Sequence, residues 1–193
     1  MKTISAARPS VHRWTREEYF RLADSGCFAG QRVELIEGKI IDMPAQKNAH
    51  VIGVEKVHEV LKKTFGRKFW VRAQATLDLG PHSVPDPDVA VVPGPRRTDE
   101  DYPTQAVLVV EVSDTSLWYD RNRKAATYAA AGIIDYWIVN LVDRQVEVHR
   151  NPVADPARRT RRRYADVTVF RPGDAIVPLA APRRKVAVTD LLP

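Results

Sequence analysis

The chain has 193 residues, 44% of them apolar, with 30 Lys and Arg against 24 Asp and Glu for a formal charge of +6. That length suits one domain with a real core, and no run of 18 apolar residues exists to serve as a membrane-spanning helix. The start, MKTISAARPS, has no apolar stretch behind its charge, so no secretory leader is expected. The single cysteine, Cys27, excludes an internal disulfide framework and fits a reducing cytoplasm. The basic excess favours a polyanionic partner.

Residues 1–12 read as a flexible N-terminal tail, with one domain over 13–193. Thr15 and Glu18 have capping-box spacing, which predicts a short helix from about Arg16 to Ala23. RVELIEGKIIDM reads as two strands turning at Glu37-Gly38. From Asn48, Val51, Val54, Val57, Leu61 and Phe65 recur at helical spacing until Gly66 stops the pattern. FWVRAQATLDL reads as one long strand. VAVV, AVLVVEV and IIDYWIV are near-continuous apolar runs, as expected of central strands covered on both faces. QVEVHR alternates like a half-exposed strand. From Arg150 to Arg163 there are six arginines and one aspartate, with Pro152 and Pro156 among them. This stretch reads as an exposed loop, either a solvated hairpin insertion or a contact to phosphate. DVTVFRPGDAIVP and KVAVTDLLP supply two last short strand-like pieces. The whole is a single mixed α/β domain.

Two acids stand at the ends of apolar β-runs, Asp88 in PDPDVAVV and Glu111 in AVLVVEV. A carboxylate there is costly to bury unless a cation or donor meets it. The short connection between the runs, Pro93 to Thr104, suits neighbouring strands that bring both acids to one place. In the helical segment that follows, Asp120, Lys124 and Tyr128 are four apart and share a face. Mg²⁺ takes oxygen ligands from one or two carboxylates plus water and phosphate. Asp88 and Glu111 are therefore the candidate ligands, with the Val112 carbonyl as a third oxygen. Such an ion polarises a phosphate and lowers the pKa of an attacking water, and a lysine beside it steadies charge on the phosphate. Asp86 is expected further out, toward solvent. Arg158, Arg159, Arg161, Arg162 and Arg163 are candidate contacts to a nucleic-acid backbone.

VELIEGKIIDM, the histidine of Ala49-His50 before a helix, PDVAVV, LVVEVSD and KAATYAAAGIIDYWIVN together resemble the Uma-type restriction endonuclease family of bacteria, within the PD-(D/E)XK nuclease superfamily. The resemblance runs from about Trp14 to KVAVTDLLP. It implies a restriction-endonuclease-like mixed β-sheet flanked by helices, and a DNA-cleaving activity that uses Mg²⁺ or Mn²⁺. It implies Asp88 and Glu111 as metal ligands and Glu34 as an additional acid near them, whereas Glu37 falls on a turn. The superfamily pattern has a lysine two residues after the second acid, where this chain has Ser113. Lys124 matches the place to which that family moves the lysine. The resemblance also points to a homodimer, and it gives His50 a family position without a role.

The five histidines lack zinc-ligand spacing, and the chain has neither a G-x-S-x-G elbow nor a phosphate-cradling glycine loop. The rival readings are a nucleic-acid-binding or structural protein that keeps the fold without turnover, and a hydrolase of another phosphoester.

Overall fold

The computed structural model describes residues 9–98 and 101–193, and only the backbone over 158–160. The expected tail lies largely outside the described residues. The first helix, α1 (Arg16–Asp24), opens on the expected capping box: the Thr15 side chain accepts from the Glu18 amide, and the Glu18 carboxylate accepts from the Thr15 amide. A hairpin follows, β1 (Val33–Ile36) and β2 (Lys39–Asp42). Its two-residue turn needs positive φ at both central positions, and Glu37 at 51° and Gly38 at 76° supply it. The long helix α2 (Asn48–Phe65) buries Val54, Val57, Leu61 and Phe65, as its apolar spacing requires, whereas Val51 in its first turn is exposed.

The main sheet has six strands in the order β3 (Phe69–Ala73), β4 (Val89–Pro93), β5 (Leu108–Ser113), β6 (Asp135–Asn140), β7 (Gln145–Asp155) and β8 (Arg158–Phe170). All neighbours are antiparallel except β5 and β6. The chain crosses from β5 to β6 through a nearly continuous helical segment: α3 (Leu117–Tyr119), a π-helical turn (Asp120–Lys124) and α4 (Ala125–Ala130). A small pair, β9 (Ala175–Ile176) with β10 (Val186–Ala187), and a last turn of helix, α5 (Val188–Leu191), complete the fold.

Strand alternation decides what each face of the sheet carries. Val89, Val91, Leu108, Val110 and Val112 pack with α2 residues in one buried cluster. Ala90, Val92 and Val109 pack instead with Ala125, Tyr128 and Ala129 of α4. Asp88 and Glu111 share the parity of this second set, so period-2 geometry aims them toward the crossover helix. Continuing the Val89–Val110 register by one residue also places Asp88 opposite Glu111.

Five expectations change. QVEVHR, expected as a half-exposed strand, is buried on both faces from Val146 to His149. The long strand from Phe69 ends at Ala73, because Gln74 turns with φ 46°. KVAVTDLLP gives two residues of strand and then helix. The crossover helix begins at Leu117, and a π-helical turn interrupts the regular spacing expected of Asp120, Lys124 and Tyr128. The arginine-rich stretch is the hairpin insertion rather than an irregular loop: Pro152 pairs with Tyr164, Val153 with Arg163 and Ala154 with Arg162, and a bulge lies at Ala154/Asp155. Backbone pairing holds this hairpin where apolar side chains are few.

Gly53 brings α2 against β5, since a Cβ there would stand 2.9 Å from Val112 Cγ1. Val112 is itself buried in the core. Gly53→Ala should therefore destabilise the fold by about 1–3 kcal/mol, as overpacking does. Denaturant unfolding checks this, and an unchanged or raised midpoint contradicts it.

Candidate active site

One lysine organises the site. Lys124 is 2% exposed and donates to Glu111 Oε1 at 3.0 Å and to Glu34 Oε1 at 3.1 Å. Glu111 comes from β5 and Lys124 from the π-helical turn. Glu34 comes from β1, which is fastened to the segment before β4 by the Leu35–Val84 bridge and by the Gly38 amide donating to the His82 carbonyl at 2.7 Å. Leu35 faces its own apolar cluster with Tyr19 and Val84, so its neighbour Glu34 turns the other way, toward the lysine. The Tyr128 hydroxyl, one turn beyond Lys124, donates to the same Glu111 Oε1 at 2.6 Å.

Asp88 lies beside this group. Its Oδ2 accepts from the Val112 amide at 2.8 Å, and its own amide stands 3.3 Å from Glu111 Oε2. Bond lengths then keep the Asp88 and Glu111 carboxylates within about 8 Å of each other. His50, at the start of α2, places Nε2 3.1 Å from Asp88 Oδ1 and also reaches the Val112 backbone. Asp86 is partly buried and takes the Thr76 hydroxyl on Oδ1 at 2.6 Å. These residues line a cleft of about 50 Å³, with Arg32, Ser116 and Asp114 on its walls. That is room for an ion and a few waters.

Ser113, the residue found in place of the superfamily lysine, is fully buried and donates to Asp120 Oδ2 at 2.7 Å. Ser116 donates to the same oxygen at 2.6 Å. Asp120 opens the π-helical turn, so the serine pins the element that carries Lys124. Arg121, in the same turn, is held from outside by Glu147 at 2.6 and 2.8 Å.

Four carboxylates, Glu34, Asp88, Glu111 and Asp120, are each at most 6% exposed around the single Lys124 ammonium. Burial pushes Glu111 well above the usual carboxylate range. Lys124 offsets only part of this, and the charges of Asp88, Asp120 and Glu34 add to the rise. Burial also raises Glu34 and Asp120 against the pull of Lys124. For Lys124, burial disfavours the charge, but Glu111, Glu34, Asp120 and Asp88 outweigh it and hold the ammonium well above its ordinary pKa. Asp88 is raised by burial too, yet the bond and charge of His50, with Lys124 and the Val112 amide, leave it lowered overall. His50 mirrors this, burial lowering it and Asp88 raising it further.

Do these residues suit a divalent ion? Among the described residues no group of three or more His, Cys, Asp or Glu surrounds one point. Mg²⁺ does not require three, because it keeps waters and takes one or two carboxylates plus substrate oxygens. Glu34 Oε2 is buried without a hydrogen-bond partner, and the carboxylates outnumber the cations around them. Within a strand a residue's amide and carbonyl point to the same side. The Val112 carbonyl therefore lies on the Asp88 side, as its amide does. The donor set fits a hard cation.

The structure thus brings Glu34, Asp88, Glu111 and Lys124 together. The arginines stand apart from the cleft. Arg161 is tied to Glu37 at 3.0 Å, whereas Arg162 and Arg163 are exposed and, among the described residues, bond backbone carbonyls alone. The side chains of Arg158 and Arg159 lie outside the described residues. Sequence reasoning left His50 without a role, since only the tertiary fold sets it against Asp88. It also missed the bonds of Ser113 and Ser116 to Asp120, although their spacing of seven and four residues from Asp120 was a usable signal.

The model of the Uma2 family, described as "putative restriction endonuclease", matches residues 16–189. A crystal structure of a "putative nuclease" from Anabaena variabilis superposes with a TM-score of 0.66 at 20% identity, covering 92% of this chain and 96% of that one. At that identity the likeness shows a shared fold. No curated protein matches. No helix among the described residues is long and apolar enough to cross a membrane.

Removing Lys124 would leave buried carboxylates without their cation. Lys124→Ala should lose about 3–5 kcal/mol of stability, as when one partner of a buried pair is deleted, and adding Glu111→Gln should recover part of that loss. Denaturant melts read both, and an unchanged Lys124→Ala midpoint contradicts the arrangement.

Proposed function

Because this chain belongs to the Uma2 restriction endonuclease family, we propose that it is a metal-dependent endodeoxyribonuclease. Asp88 and Glu111, with the Val112 carbonyl, would hold Mg²⁺ or Mn²⁺, and Glu34 would support that site or a second ion. The observation that carries this reading is the excess of buried carboxylate over cation around Lys124. When bound, the ion supplies Lewis-acid activation of a scissile phosphate and of an attacking water. The chain's own groups do the rest. Lys124, kept protonated, places a compact positive charge where the phosphate gathers negative charge. Tyr128 and Lys124 fix Glu111 in one rotamer, and the Val112 amide fixes Asp88. His50 orients Asp88 from the open side of the cleft.

The rival reading is a nucleic-acid-binding protein of this fold without turnover. It draws support from the engagement of these carboxylates by Lys124 and His50. Plasmid DNA incubated with Mg²⁺, Mn²⁺ or EDTA separates the two. The nuclease reading expects cleavage that EDTA and Asp88→Ala abolish and that Lys124→Ala reduces by about 10²-fold or more. Arginine at 124 should rescue poorly, because its planar fork does not replace an ammonium. Cleavage that survives both EDTA and Asp88→Ala contradicts the site.

We further propose that Arg162 and Arg163, with Arg158, Arg159 and Arg161 around them, contact the DNA backbone without reading sequence. Replacing Arg162 and Arg163 by alanine should flatten the dependence of log affinity on log salt by up to about 0.9 per lost contact, and an unchanged slope returns them to solvent. Cutting both strands of a duplex calls for two centres, and two-fold pairing is the common way to supply them. Light scattering should then give twice 21.8 kDa at micromolar concentration, and a monomer mass contradicts it. A free, exposed Cys27 accords with a reducing cytoplasm.

A further inference from the structure

The crossover helix has a second working face. Ser116, Asp120 and Lys124 line the catalytic cleft, whereas Trp118, Asn122 and Arg123 line a separate groove of about 480 Å³ closed on its far side by Arg161, Arg162 and Arg163 of β8. A helix is about 10 Å across, and Trp118 and Lys124 are about 9 Å apart along its axis, so groove and cleft are neighbours on one element. Trp118 is 66% exposed, the most exposed aromatic side chain among the large apolar residues of the described chain. Burying so large a ring usually stabilises a fold, and the described residues leave most of it open.

The charges of the groove are unequal. Arg121 is held by Glu147, and Arg123 and Arg161 share Glu37 at 3.5 and 3.0 Å. Among the described residues Arg162 and Arg163 bond backbone carbonyls and form no ion pair, and Asp155, the carboxylate that also lines the groove, takes the Ala157 amide. An open indole beside two guanidinium groups without an ion pair among the described residues combines a stacking platform with phosphate donors. That pairing suits unpaired nucleotides, whose bases present a free face, and not a blunt duplex, whose base faces are covered by their neighbours.

We propose that this groove is a binding track for single-stranded DNA, with Trp118 stacking on a base and Arg162 and Arg163 taking the flanking phosphates. It delivers a single strand, a flap or a melted junction to the cleft on the other side of the helix. The proposal rests on the nuclease reading for its purpose but not for its binding chemistry.

The test measures fluorescence anisotropy of the full chain in EDTA, with a labelled oligothymidylate and a blunt duplex of equal length. Trp118→Ala should weaken binding of the single strand by about 5- to 150-fold, the value of one base–aromatic stack, and leave duplex affinity unchanged. Trp118→Phe, which keeps a π face, should retain most of the affinity. The ring is exposed, and a thermal melt of each variant confirms that the fold is kept. Single-strand binding by Trp118→Ala equal to wild type overturns the proposal, as does an equal loss on both ligands. A fall in oligomer mass with unchanged binding also overturns it, assigning the indole to a contact between copies. Metal-supplemented digestion of the same strand keeps the two readings apart. A wild type that binds through Trp118 but cuts nothing removes the nuclease reading and leaves the track. A wild type that cuts while Trp118→Ala binds normally removes the track alone.

Discussion

Everything about this site follows from one buried ammonium. Lys124 sits 3.0 Å from Glu111 and 3.1 Å from Glu34, shielded from water, with two further carboxylates close by. An isolated charge at that depth would be costly to keep, and here each charge is tolerated because of the others. The arrangement also ties three separate parts of the chain together: the β1–β2 hairpin, the central strand β5 and the crossover helix. Without the lysine the hairpin would lose the bond from Glu34 to the crossover helix, and β5 would carry an uncompensated acid in its core.

The geometry of the crossover helix serves that ammonium. A superfamily lysine two residues after the second acid would project from the strand. This chain has Ser113 there, too short and uncharged to reach a phosphate. The serine instead fastens Asp120, and the helix turns through a π-helical segment that widens the backbone between Asp120 and Lys124. π-Turns of this kind gather at functional positions because they re-aim a side chain without ending the helix. Ser113 and Lys124 thus form one device, an anchor and the charge that it positions.

Much of this was legible in the sequence because the strongest signals were local. VAVV and VLVVEV are too apolar to be anything but central strands, and period-2 alternation then puts Asp88 and Glu111 on one face. Glu37-Gly38 turns the hairpin because the residue types permit positive φ, and the apolar spacing of α2 gave its buried face. What failed was non-local. The arginines of β8 carry no apolar pattern, and their strand exists through backbone pairing with a partner that includes Pro152. The end of β3 depends on one left-handed residue, Gln74, which residue type alone does not announce. A helical wheel of fixed period cannot foresee a π-turn, although Lys124 and Tyr128 still converge on Glu111. His50 is 38 residues from Asp88 in the chain, and only the packing of α2 across β5 joins them.

The central claim is that the buried carboxylates around Lys124 form a site for a divalent cation, and thermal stability reads that directly, whether or not the protein turns over. An ion that binds the folded state alone raises stability by about 2.7 kcal/mol at a hundred times its dissociation constant. Melting temperature should therefore be followed against MgCl₂ and MnCl₂, with NaCl at matched ionic strength, for the wild type and for Asp88→Asn. The account predicts a rise that saturates for the wild type with the divalent salts and is lost in Asp88→Asn. A wild-type melting temperature equal in divalent and matched NaCl solutions, or an equal rise in Asp88→Asn, would contradict it.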